Sequence, residues 1–72
     1  MSVSYKQLWK LLIDRGMKKK DLYAAAGISH VSMVKLEKNE NMTTDVLGKI
    51  CAALQCDISD IMELQFIDKE NV

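Results

Sequence analysis

The residues able to do chemistry are few. Cys51 and Cys56 stand five apart, and His30 is the only histidine. A thiolate metal or redox centre wants a Cys-x-x-Cys spacing or a second ligand pair, and neither is present. The two cysteines therefore read as reduced thiols serving as small apolar groups. One histidine without a nucleophile set beside it, no glycine-rich phosphate loop and no metal-ligand spacing leave nothing from which to assemble a catalytic site. No enzyme activity and no cofactor are expected. Charge is the other chemical resource. Residues 1–38 hold eight lysines and arginines against three carboxylates, a balance of +5, whereas residues 39–72 hold two against seven, a balance of −5. The formal net charge of +0 thus hides a dipolar chain. Its basic half suits a polyanion, although lysines that merely solvate helix faces would give the same count.

The basic half is organised around residues 19–38, LysLysAspLeuTyrAlaAlaAlaGlyIleSerHisValSerMetValLysLeuGluLys. Gly27 supplies the left-handed position that commonly ends a helix, and Ser29 is suited to cap the amides of the next one. A short helix, a glycine turn and a second short helix make a helix-turn-helix, which can lay its second helix in a DNA major groove. Helical spacing divides that second helix into two faces. Met33, Leu36 and Glu37 lie on one side, above Ile28; His30, Val31, Val34, Lys35 and Lys38 lie on the other, with Ser32 at the boundary. Two valines on a solvated face suit a contact surface.

The elements that must position this stretch are predicted as helices throughout. The chain has 72 residues, 49% of them hydrophobic, and no proline. That predicts one all-α domain over residues 1–72, near the size at which a single core becomes marginal. The first helix spans 4–15, capped by Ser4 and ended by Gly16, with Tyr5, Leu8, Leu12 and possible support from Leu11 facing inward. Trp9 lies at the core edge, or offers its indole N–H to an interface. The second helix spans 18–26; Lys18 is a poor cap, which Asp21 in the first turn partly offsets. Three lysines at a helix start oppose the dipole and hint at an anion there. The third spans 30–38. Asn39 suits a left-handed position after it. The fourth spans 44–55, capped by Thr43, with Leu47, Ile50, Cys51 and Leu54 inward and Gly48 tolerated through close packing. A fifth helix over 58–65, capped by Asp57 or Ser59, carries Ile58, Ile61, Met62 and Leu64, and Phe66 follows it. These are too many apolar groups for a short terminal segment to hide, so they are expected to form a dimer interface. The terminal AspLysGluAsnVal is expected to fray. No stretch approaches the ~20 apolar residues of a membrane span and no secretory signal opens the chain, which predicts a cytoplasmic protein with no membrane partner.

ArgGlyMet at 15–17, AspLeu at 21–22, AlaGlyIleSer at 26–29, LysLeuGluLys at 35–38 and LeuGlyLysIleCysAlaAlaLeu at 47–54 together resemble a Cro/CI-type, lambda-repressor-like helix-turn-helix regulator, over about Leu8 to Ile61. The resemblance implies a compact five-helix domain that binds double-stranded operator DNA as a two-fold homodimer. It places His30, Val31, Ser32 and Lys35 at base edges, and Lys18, Lys19, Lys20, Lys38, Asn39 and Asn41 at the phosphate backbone. Lysine can donate to guanine O6 and N7, serine can meet either partner, and valine can meet a thymine methyl. Three positions depart from the family pattern. Lys19 replaces a polar residue, commonly glutamine, which implies a phosphate contact in place of a base contact. Tyr23 replaces alanine between the two helices, so the interhelical angle is expected to change or the ring to swing outward. Leu12 replaces the arginine that pairs with the residue at Glu37, so Glu37 needs another partner, such as backbone amides of the following loop.

Two functions fit these features: a sequence-specific transcriptional regulator, in particular a dimeric repressor, or a protein-interaction module of antitoxin or anti-regulator type on the same fold. No small-molecule ligand is expected for either. Tyr5, Trp9, Tyr23 and Phe66 are too scattered to form a stacking platform for single-stranded nucleic acid.

Overall fold

A serine-valine-serine alternation precedes the first helix, and its period of two is the pattern of a half-buried strand. In the computed structural model, which describes residues 2–66, this stretch forms strand β1, Ser2–Ser4, with Val3 buried. Four helices follow: α1 (Lys6–Asp14), α2 (Lys19–Ala26), α3 (His30–Glu37) and α4 (Thr44–Leu54). A single 3-10 turn, Ile58–Asp60, leads into strand β2, Glu63–Gln65. The two strands pair antiparallel, with Ser2 opposite Gln65, Val3 opposite Leu64 and Ser4 opposite Glu63.

This ribbon corrects the all-helical, five-helix expectation. Four α-helices are present among the described residues, and the predicted helix over 58–65 is one 3-10 turn followed by a strand. The reason is non-local. Helical spacing of Ile58, Ile61, Met62 and Leu64 describes the turn well enough, but residues 63–65 satisfy their backbone groups against a strand about sixty positions away in sequence. Ser4 belongs to β1 and does not cap α1; Tyr5 occupies that cap position, with no side-chain capping bond, and the helix begins at Lys6. The terminal residues 68–72, expected to fray, lie outside the described residues.

Inside the ribbon and helices sits one core. Val3, Tyr5, Leu8 and Leu12 meet Leu22 and Tyr23 of α2, Leu36 of α3, Leu47, Ile50 and Leu54 of α4, and Ile61 beyond the 3-10 turn. The inward stripes expected for α1 and α4 are therefore present, with Cys51 half-buried at the margin. Each fully buried aliphatic side chain here contributes about 1.5–3 kcal/mol by leaving water. Ile61 is fully buried, so it is a core residue and is removed from the expected exposed surface. Arg15 donates from its guanidinium to the carbonyl oxygen of Leu54, joining the ends of α1 and α4. Thr43 caps α4 as its residue type predicts, its hydroxyl accepting from the Val46 amide at 3.3 Å. Gly48 departs from expectation: no atom lies within 4 Å of where its Cβ would stand, so close packing does not compensate for glycine there.

Candidate nucleic-acid interface

The local chemistry of residues 18–38 sets the pose of α3. At the start of α2, lysine has no acceptor with which to cap, but the Asp21 carboxylate accepts from the Lys18 amide at 2.9 Å and ties the first turn together. Gly27 ends α2 at φ +66°, a left-handed conformation that a side chain would strain. Ser29 then caps α3, its hydroxyl oxygen accepting from the Ser32 amide at 3.2 Å. A bond of this kind is worth about 1 kcal/mol to the helix it starts.

Tyr23 explains how the two helices are held. Its ring is buried, and its hydroxyl donates to Glu37 Oε2 at 2.9 Å. One bond thus ties the middle of α2 to the last residue of α3. The ring has not swung outward, and the partner that Glu37 required is the phenol, with no amide of the following loop involved. Burial pushes the Tyr23 phenol well above its ordinary value, and the Glu37 carboxylate beside it raises it further. Spacing along α2 could not reveal the pair, since the two residues stand 14 apart and meet only when the helices fold against each other.

The outward face of α3 exposes most of the residues expected at base edges. His30 and Lys35 are exposed, and Val31 is 63% exposed despite being apolar. Ser32 is half-buried; its hydroxyl accepts from Ser29 Oγ at 3.2 Å, which leaves its own proton to donate elsewhere. Val34 is also half-buried, so the solvated face holds one open valine instead of two. Met33 is half-buried against the core and Leu36 is fully buried, as their spacing predicts.

Around this face lie the expected backbone contacts. Lys18, Lys19, Lys20, Lys38, Asn39 and Asn41 are all exposed. Among the described residues the one ion pair joins Lys49 to Asp45 on α4 at 3.7 Å, and none of the described carboxylates pairs with a lysine of α2 or α3. The Lys19 ammonium lies over the Trp9 ring, 4.4 Å from its centroid. That cation–π contact restrains a long side chain at the start of α2 and assigns Trp9 a role beyond edge packing. Asn39 takes the left-handed conformation expected of it, at φ +57°. Its side chain is already engaged, because Oδ1 accepts from the Tyr5 amide at 3.1 Å. Only its amide NH₂ remains to donate outward.

Tyr5 reinforces the same loop. Its hydroxyl donates to the Glu40 carbonyl oxygen at 2.7 Å while its ring is fully buried, and burial raises the phenol's pKa. The loop after α3 is thereby clamped to the start of α1 at two points. An open groove beside it is lined by Ser2, Val3, Lys35, Asn39, Glu40 and Asn41, so β1 borders the outward face of α3 at Lys35. Neither the role of β1 nor that of Tyr5 was visible in sequence spacing.

The residues expected at a dimer surface separate into two groups. Ile58, Leu64 and Phe66 are 40%, 50% and 71% exposed, whereas Ile61 is in the core and Met62 is half-buried against it. Among the described residues no helix is long and apolar enough to cross a membrane, and no cluster of three or more histidine, cysteine or acidic side chains has metal-binding geometry.

Comparison with known proteins agrees with this geometry. Residues 7–66 match the Cro/C1-type HTH DNA-binding domain. No curated protein sequence gives a significant match. Among solved structures, the crystal structure of the transcriptional regulator VanUg, form II, is similar at 55% sequence identity and a TM-score of 0.84, over 86% of this chain and 83% of that one. The clamped turn, the capped α3 and the match across residues 7–66 place this chain in the Cro/C1-type helix-turn-helix DNA-binding family.

Proposed function

We propose that the protein is a sequence-specific double-stranded DNA-binding transcriptional regulator, acting as a homodimeric repressor on a palindromic operator. The observation that carries the reading is the exposed face of α3, where His30, Val31 and Lys35 stand free of the core on a helix held by the Ser29 cap and the Tyr23–Glu37 bond. In the major groove, Lys35 donates to guanine O6 or N7, Val31 meets a thymine methyl, and Ser32 and His30 supply hydrogen bonds at the helix start. Lys18, Lys19, Lys20, Lys38, Asn39 and Asn41 meet phosphates and fix the register. One module reads a short half-site, and a two-fold pair a helical turn apart gains discrimination by reading two. Ile58, Leu64 and Phe66 are the side chains through which the copies would meet. Repression requires nothing more than occupying the operator.

Selection of bound sequences from a random DNA pool supplies the operator, with a palindrome expected. On that operator Lys35→Ala lowers affinity and relaxes base preference at one position in each half-site. Lys19→Ala weakens operator and random DNA alike and reduces the slope of log affinity against log salt by about one. Equal losses on both DNAs for both variants would refute the assignment of α3 as reader. A protein-interaction module on the same fold is the second reading, favoured by the neutral total charge and the exposed Leu64 and Phe66. It predicts no retardation of any DNA at low salt and micromolar protein.

A further inference from the structure

The end of α4 brings together two side chains that the DNA-binding reading does not use. Gln55 takes a left-handed conformation at φ +52°, and the chain closes with two reverse hydrogen bonds. The Gln55 amide donates to the Ala52 carbonyl at 3.4 Å, and the Cys56 amide donates to the Cys51 carbonyl at 3.0 Å. This pair of bonds is a Schellman motif, whose geometry sets the third residue from the helix end against the second residue beyond it. Those residues are Cys51 and Cys56. Both thiols are free and half-exposed. A disulfide needs Cα atoms roughly 4.4–6.8 Å apart with side chains directed at each other, and the direct backbone bond from Cys56 to Cys51 draws these two backbones together. The two positions that usually make an apolar contact in this motif are here occupied by groups that can also form a covalent bond.

We propose that Cys51 and Cys56 form a dithiol site that closes to an intramolecular disulfide on reaction with a small-molecule disulfide. One cysteine thiolate attacks the small disulfide, breaking its S–S bond, forming a mixed disulfide and expelling one small thiolate. The second cysteine, as thiolate, attacks the protein sulfur of that mixed disulfide and expels the other small thiolate. The protein loses two electrons and two protons; the small disulfide gains them and leaves as two thiols. Closure joins α4 covalently to Cys56, two residues before the 3-10 turn, at the root of the segment bearing Ile58, Leu64 and Phe66. Burial pushes the Cys51 thiol up, with further contributions from Cys56, Asp57 and Asp60. The reaction is accordingly run at mildly alkaline pH, where more thiolate is present.

The test incubates the reduced full chain at about pH 8 with oxidised glutathione, followed by intact mass and thiol alkylation. The expected product is a single covalent chain, about 2 Da lighter than the reduced chain, with both thiols lost in the same molecules. Cys51→Ser and Cys56→Ser each stop at a stable glutathione adduct. Equilibration against mixtures of reduced and oxidised glutathione separates the native geometry from chance encounter in a flexible chain. The folded protein's disulfide should withstand about ten-fold more reducing mixtures than the same disulfide in urea. Accumulation of glutathione adducts or of disulfide-linked dimers in the parent chain would overturn the proposal. So would thiols inert on the timescale at which the urea-unfolded chain reacts, or a disulfide no more stable folded than unfolded.

Discussion

Replacing Tyr23 with phenylalanine removes one oxygen and, with it, the bond that joins α2 to the end of α3. The ring stays, so no cavity forms and the buried apolar contacts remain. A hydrogen bond to a charged group contributes about 1.5–3 kcal/mol when well shielded. Here the acceptor, Glu37, lies on an exposed residue, and its carboxylate regains water once the phenol is gone. Solvent screening brings the expected loss down to about 1 kcal/mol. For a domain of this size, that lowers the thermal midpoint by about 4–8 °C, measurable by far-ultraviolet circular dichroism at neutral pH. The pH dependence gives a second, sharper reading. The folded-state pKa of Tyr23 is raised, so the stability linked to its proton is fully present below the unfolded value of about 10 and is lost as pH rises above it. The parent chain should lose up to about 1.4 kcal/mol per pH unit from this one group in that window. Tyr23→Phe lacks that term, so the two stabilities should converge between pH 9 and about 11. Tyr5, whose pKa is also raised, is common to both chains and cancels in the comparison. Equal midpoints at pH 7, or a gap that widens at alkaline pH, would refute the role given to the hydroxyl.

Further consequences follow from the backbone and the loop clamp. Gly48→Ala should stabilise by about 0.5–1 kcal/mol in urea unfolding, because the helix gains propensity and the added methyl meets nothing within 4 Å. A loss of stability would show that the site is more crowded than the structure indicates. Gln55→Gly should also stabilise, by up to about 1 kcal/mol, since a side chain is held there at φ +52°. An unchanged urea midpoint would mean that the left-handed turn is not strained. Asn39→Ala loses the acceptor for the Tyr5 amide and places alanine at φ +57°, and a loss of about 1–2 kcal/mol is expected. Asn39→Gly keeps the conformation and loses only the acceptor, so it should fall between alanine and the parent; an order of stabilities with glycine lowest would contradict the clamp.

The features legible in the sequence are those whose cause is local. Gly27 and Ser29 mark the turn because one tolerates a left-handed backbone and the other offers an oxygen to amides three residues on, and both act within a few residues. Thr43 and Asn39 were legible for the same reason. Spacing of three and four found the inward stripes of α1 and α4 and the exposure of His30, Val31 and Lys35, since each helix has one face to bury. Features that depend on distant partners were not legible. Residues 58–65 satisfy helical spacing as well as they satisfy a turn and a strand, and the pairing of Leu64 with Val3 across the whole chain settles the matter for β2. Ile61 goes into the core because the 3-10 turn aims it there, and not with its apolar neighbours at the surface. Tyr23 stands where the resemblance implies alanine, and only the fold brings Glu37, a helix away, to its hydroxyl. Cys51 and Cys56 looked unrelated because a spacing of five has no meaning within a helix; it acquires one where the helix ends and the chain reverses. Local energetics choose helices, caps and turns, whereas strand partners, buried polar pairs and the angle between helices arise only when distant segments exclude water together.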